Sequence, residues 1–127
     1  MAKKIFTYRG KTLEELNKLS MNELAELFTA RVRRSIHRGF SQDQKKFIKK
    51  TKEKKVVKTH FRDVPILPHM VGKTIKVHVG NAFNDVIIDQ EMIGHFLGEF
   101  ALTRKKTGHS SPGVGAKAMK DKTKTRK

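Results

Sequence analysis

The chain has 127 residues and a mass of 14.6 kDa, with 36% apolar residues, 32% charged residues and no cysteine. That is the size of one small domain with appendages, and it excludes disulfides, thiol nucleophiles and cysteine-ligated zinc. Lys and Arg number 29 against 12 Asp and Glu, a net charge of +17, so a compact body would repel itself unless a polyanion neutralised it; nucleic acid is the first candidate and an anionic membrane surface the second.

No uninterrupted apolar run exceeds three residues, so no segment is long enough to span a bilayer. The first residues are basic, as in a signal peptide, but no apolar stretch follows; the expectation is a soluble, cytoplasmic protein. Thr12-Leu13-Glu14-Glu15 has capping-box spacing and predicts a short helix to about Leu19. Ser20-Met21-Asn22-Glu23 repeats the signal. Leu24, Leu27, Phe28, Val32 and Ile36 then recur at three- and four-residue spacing, which predicts one amphipathic helix ended by Gly39 in a left-handed conformation. Ser41-Gln42-Asp43-Gln44 opens a third helix with only Phe47 and Ile48 to bury. The eight lysines between 41 and 58 repel one another, so this segment is expected to be mobile alone and to order on a polyanion.

Val64-Pro65-Ile66-Leu67-Pro68 is excluded from a central strand and from a helix interior by its prolines, and reads as an irregular segment laid over the core. Thr74 to Val79 alternates, with Ile75, Val77 and Val79 on one face, and Gly80-Asn81 marks a turn before a second strand from about Phe83 to Ile88. These two form an antiparallel hairpin, joined by a third strand from near residues 56–61 or from 66–70. Asp89 can cap a short helix through Met92, Ile93 and Phe96. From Thr103 the apolar pattern stops, and Gly108, Pro112, Gly113, Gly115 and scattered lysines read as an extended tail. The expected fold class is α+β: a small three-stranded antiparallel sheet with short helices. Residues 1–55 form a basic helical extension, 56–104 the compact core and 105–127 a basic, disordered tail.

Charge is unevenly distributed. Residues 41–58 carry eight basic and two acidic residues and residues 103–127 nine and one, whereas residues 59–102 carry three and five. The part richest in strand pattern is therefore nearly neutral, and the positive charge lies in what flanks it. A wedge with basic arms among phosphates is arranged this way.

Thr59-His60-Phe61-Arg62-Asp63 leads into Pro68-His69-Met70-Val71-Gly72-Lys73-Thr74-Ile75, and Met92-Ile93-Gly94-His95-Phe96-Leu97-Gly98-Glu99-Phe100 is closed by Thr103-Arg104. This ordered set resembles the S-nineteen family of universal small-subunit ribosomal proteins over about residues 56–110. Phe6-Thr7-Tyr8-Arg9-Gly10 and the stretch from Arg31 to Gly39 are similar to the helical N-terminal extension of the family's archaeal and eukaryotic branch; the shortness of the extension makes the archaeal form the nearer match. The resemblance implies a small α+β domain with a three-stranded antiparallel sheet, in the head of the small subunit and bound to the 3′ major domain of its ribosomal RNA. It also implies a neighbouring protein of the S-thirteen family, a position near the contact with the large subunit, and a tail directed toward the tRNA acceptor site. After Ala116 the sequence departs from the family pattern, so contacts of the last dozen residues do not carry over.

The expected role is structural and non-catalytic, ribosome-bound, with no cofactor, no metal and no homo-oligomer. Candidate RNA-binding residues are Arg31, Arg33, Arg34 and Arg38 near the end of the second helix, and Lys45, Lys46, Lys49, Lys50 and Lys52 on the third. His60 is included as an RNA-facing histidine, and Arg62 and Lys73 are placed beside RNA by the resemblance. Arg104, Lys105, Lys106 and His109 directly follow the core. Phe40, Phe47 and Phe61 could stack on unpaired bases but read as anchors of the appendages, and the low aromatic content weighs against a base-stacking reader. His95 and Glu99 lie four residues apart and His60 is near Asp63. No third ligand stands at fixed spacing and Gly94 and Gly98 interrupt a rigid helix, which weighs against a metal site or an acid–base pair. The rival readings are a general DNA- or RNA-compacting basic protein, a small enzyme built on those four residues, and a peripheral membrane protein.

Overall fold

The computed structural model describes residues 5–106 and residue 108. In chain order it has a short antiparallel hairpin (β1, Thr7–Tyr8; β2, Lys11–Thr12) and four helices (α1, Leu13–Lys18; α2, Met21–Leu27; α3, Ala30–Arg38; α4, Gln42–Glu53). A three-stranded sheet follows (β3, Val56–Thr59; β4, Thr74–His78; β5, Phe83–Ile87), with single 3-10 turns at Pro68–Met70, Gln90–Met92 and Leu97–Phe100. The architecture is α+β, as the sequence pattern predicts.

The helices begin where their capping chemistry places them. The hydroxyls of Thr12, Ser20 and Ser41 each accept from the backbone amide three residues on, while Glu15, Glu23 and Gln44 reach back to the cap amide. The Thr12 and Ser20 backbone amides hold the carboxyls of Glu15 and Glu23 below their ordinary pKa. The β1–β2 hairpin has no alternation to announce it. It turns on Arg9 and Gly10 at φ +48° and +80°, the left-handed backbone that two-residue hairpin loops use.

The single helix expected from Ser20 to Gly39 is in fact two. Phe28 and Thr29 adopt extended backbone, with ψ of 165° and 155°, between α2 and α3. The break is stabilised by Arg33: its Nε donates to the Ala25 carbonyl at 3.2 Å, and its Nη2 to those of Glu26 and Phe28 at 3.0 and 3.3 Å. These are carbonyls for which the end of a helix offers no internal partner.

In the sheet, β4 and β5 are antiparallel with Ile75 opposite Val86 and His78 opposite Phe83. β3 runs parallel to β4, with Val57 beside Ile75 and Thr59 beside Val77. The wholly antiparallel sheet expected from sequence is thus corrected to a mixed one. Residues 60–73 carry the chain back to the end where β3 began, the long crossover that a parallel pair needs. That crossover contains Pro65 and Pro68, and its Val64, Ile66, Leu67 and Met70 are at most 1% exposed. Backbone bonds from Ile66 to His95, from Gly94 to Ile66 and from Leu97 to Val64 tie it to the following segment. That pairing explains why the short helix expected from Asp89 through Phe96 is cut to one 3-10 turn at Gln90–Met92: the amide of Gly94 points to Ile66 and that of Leu97 to Val64, and Gly94, at φ +83°, separates this turn from the next.

One hydrophobic cluster joins Leu16, Leu24, Phe28, Val32 and Ile36 of α1–α3, Phe47 and Ile48 of α4, and Val57, Ile75, Val77, Val86, Ile88, Ile93 and Leu97. The segment expected to be mobile alone is therefore a capped, packed helix, α4, held by Phe47, Ile48 and Thr51. Most of the expected tail, with His109, lies outside the described residues.

Candidate nucleic-acid interface

Arg31, Arg34 and Arg38 are exposed along α3, whereas Arg33 is turned inward to cap α2. Arg31, Arg38 and Arg62 meet Phe40, Phe96 and Glu99 around an open groove of about 560 Å³. On its walls the Arg31 guanidinium lies 5.2 Å from the Phe96 ring centroid, and Gln44 Nε2 donates to Asp63 Oδ2 at 3.0 Å.

The lysines of α4 fall into two rows. Lys45, Lys49 and Lys52 line one shallow groove beside Met21 and Phe40. Lys46 and Lys50 line another, of about 240 Å³, together with Lys58 and His60. The buried stripe of Phe47, Ile48 and Thr51 points between the rows into the core. All five lysines are exposed, and Lys46 pairs with Asp43 at 3.1 Å.

Arg62 and Lys73 are occupied within the protein. Arg62 Nη1 donates to the His78 carbonyl at 3.1 Å, and Nη2 to the carbonyls of Gly98 and Ala101 at 2.9 and 2.5 Å. One guanidinium thus ties the end of β4 to the last 3-10 turn. A Cβ at Gly98 would come within 3.0 Å of the Arg62 Cβ and carbonyl, which accounts for glycine there. Lys73 Nζ donates to the carbonyls of Thr51 and Lys52, so its charge sits at the C-terminal end of α4, where a cation is favoured. Arg104, Lys105 and Lys106 are exposed just after the core.

His69 supports the same helix end. The Thr51 hydroxyl donates to the Ile48 carbonyl at 2.7 Å, so at the 3.0 Å contact His69 Nε2 supplies the proton to Thr51 Oγ1. Burial pushes the His69 pKa down to about 4, and the charges of Lys52 and Lys73 push in the same direction. Between pH 6.5 and about 4 the unfolded chain takes up a proton that the folded chain refuses, so stability falls as pH falls through that window. His69 is only partly buried, so water screens part of this and the expected loss is about 2 kcal/mol, less than the full 1.36 kcal/mol per pKa unit. Thermal melts at pH 7 and pH 4.5 check this; His69→Gln should flatten the difference.

His95 Nδ1 lies 2.8 Å from Glu99 Oε2, while Glu99 Oε1 accepts from the Phe96 amide at 3.3 Å. Glu99 thereby closes a turn. Among the described residues no three His, Asp or Glu are gathered so as to hold a metal ion, and no helix is long and apolar enough to cross a membrane. Phe47 is buried, and Phe40 and Phe61 pack against the core. His60 is placed differently: its ring stacks on His78 with centroids 4.3 Å apart, and Phe83 stands edge-on to both at 5.3 and 5.0 Å. His78 and Phe83 were missed in the sequence. Their alternation put them on the outer face, but only the strand register brings them beside His60.

Residues 33–109, from within α3 past the last 3-10 turn, match the family model of Ribosomal protein S19. The chain belongs to that family. It is accordingly a structural, RNA-binding protein of the small ribosomal subunit, acting in translation as part of the ribosome and not as an enzyme. The match spans α4, the whole mixed sheet, Arg62 and Gly98. The β1–β2 hairpin, α1 and α2 precede it.

Proposed function

We propose that this S19-family chain docks in the head of the small subunit on the 3′ major domain of the ribosomal RNA, by neutralising phosphates along α3 and α4. The observation that carries this reading is the placement of cations. Arg31, Arg34 and Arg38 and two rows of α4 lysines are exposed, on a body whose residues 59–102 have more acidic than basic residues. Arg33, Arg62 and Lys73 serve RNA only through the shape they maintain. Arg104, Lys105 and Lys106 extend the contact, and His109 is a further candidate for RNA.

A protein of the S-thirteen family is the neighbour, and large-subunit bridge elements lie nearby. Residues 1–55, of which the first 32 precede the family match, are the short extension of the archaeal and eukaryotic branch. Residues 1–55, 56–104 and 105–127 act as extension, core and tail of a single ribosome-bound copy in the cytoplasm.

Binding to transcripts of the separate small-subunit RNA domains, measured over a series of salt concentrations, tests this. The 3′ major domain should bind most tightly. Changing Lys45, Lys46, Lys49, Lys50 and Lys52 together to Gln should lower the log–log salt slope by about 3.5–4.5, at roughly 0.7–0.9 per phosphate, with little change in melting temperature. Equal affinity for every domain, or an unchanged slope, would overturn it.

A further inference from the structure

The outer face of the three-stranded sheet has a built end. Strand alternation turns Val57, Thr59, Ile75, Val77 and Val86 to the core and Lys58, Lys76, His78, Phe83 and Asp85 outward. At the end where β3 and β4 finish, His60, His78 and Phe83 form a contiguous aromatic cluster on the surface: His60 is exposed and Phe83 is 37% exposed. Phe83 thus keeps over a third of its surface open to solvent beside the exposed His60, while the half-buried His78 is fixed by its Nδ1, which accepts from the Gly80 amide at 3.2 Å. His60 also belongs to the groove between α4 and β3, with Lys46, Lys50 and Lys58. Of these cations Lys46 is shared with Asp43, while Lys58 leans over the Phe83 ring at 5.6 Å. A cationic groove therefore runs directly into a stacking surface, and His60 is common to both.

We propose that this corner binds an unpaired nucleotide of RNA, its phosphate in the groove against Lys50 and Lys58 and its base stacked on the His60–His78–Phe83 cluster. A phosphate track ending on aromatic rings is the arrangement that holds single strands, since every base offers a π-face. A peptide would find no continuous apolar strip: the exposed Val56 and Ile87 lie at the opposite end of the face, and the middle between carries Lys58, Lys76 and Asp85, the last two paired at 3.2 Å. A paired duplex presents phosphates but no free base, and would use the lysines alone. The proposal rests on the RNA-binding reading above and adds to it what the corner recognises.

The test uses the full chain and two probes of equal length: a single-stranded adenine-rich RNA carrying one 2-aminopurine, and the same strand fully paired. The single strand should bind with a change in 2-aminopurine fluorescence. His60→Ala and Phe83→Ala should each weaken it about tenfold and abolish the fluorescence change, leaving duplex binding within twofold. His60→Phe should restore both. Lys50→Gln with Lys58→Gln should weaken both probes and lower the salt slope by about 1–2. Thermal melts establish that the variants fold; Lys58 and Phe83 are surface residues, so at least those variants remain readable. If wild-type chain binds small-subunit RNA but His60→Ala and Phe83→Ala bind the single strand as well as it does, this proposal is overturned and the RNA-binding reading stands. If wild-type chain binds no small-subunit RNA, both fall.

Discussion

Arg62→Ala should lower the melting temperature by some 15 °C. The side chain donates to three carbonyls from two distant stretches of chain, His78 at the end of β4 and Gly98 and Ala101 at the last turn. Hydrogen bonds to a charged donor contribute about 1.5–3 kcal/mol each, and a carbonyl left without a partner adds its own desolvation cost. The guanidinium is only partly buried, so water recovers some of the loss, and a net cost of about 3 kcal/mol is expected; in a domain of about 100 residues each kcal/mol moves the midpoint by about 4–8 °C. Arg62→Lys should recover little, because one ammonium cannot reproduce a planar fork spanning three acceptors. A phosphate-contacting arginine behaves otherwise. Its removal leaves the melting curve in place and reduces the salt slope of RNA binding by about one. Melting Arg62→Ala beside Arg38→Ala, an exposed arginine of α3, separates the two behaviours in one experiment.

The same residue shows where sequence reading stops. Residues 59–102 hold three cations, and the near-neutrality of that stretch pointed to a body pinned by basic arms. The structure takes this further: Arg62 and Lys73 donate to backbone carbonyls and Lys76 pairs with Asp85, so every cation of the stretch has a partner inside the protein. Assigning Arg62 and Lys73 to RNA followed from their type and from the family resemblance. Sequence reports that a guanidinium is present; whether carbonyls converge on it depends on how Gly98 and Ala101 fold back, which is a long-range fact. Arg33 is the same case at shorter range, and it also decides that α2 and α3 are two helices, since the apolar spacing of Leu24, Phe28, Val32 and Ile36 runs through the break unchanged.

What was legible was local. Thr12, Ser20 and Ser41 start helices because a hydroxyl and a side chain three residues on satisfy each other within one turn, whatever lies elsewhere. β4 and β5 were legible because alternation and a turn signal are adjacent in the chain. The direction of β3 was not, because a parallel partner depends on the path of residues 60–73, and two prolines in that path say only what it is not. The cluster of His60, His78 and Phe83 was hidden for the same reason, and because low aromatic content counts rings without imidazoles and ignores where they gather.

Phe28→Ala should cost about 3–5 kcal/mol, the range for truncating a buried phenylalanine, and should do so for the whole protein at once. Phe28 is 1% exposed at the break between α2 and α3. It meets Tyr8 of the hairpin edge-on, with centroids 5.8 Å apart. Across from it is Gly94, where a Cβ would come 2.8 Å from the Tyr8 hydroxyl and 3.3 Å from the Phe28 ring, at a φ of +83° that itself disfavours a side chain. One ring therefore joins the hairpin, the second and third helices and the turn that covers the sheet. If the helices before residue 55 only decorate an independent core, Phe28→Ala will melt them in an early separate transition and leave the melting of the sheet unmoved. The shared cluster predicts a single transition at lower temperature, coincident by helical circular dichroism and by amide-exchange protection of Val77 and Val86, because the cavity opens at the point where all of these elements touch.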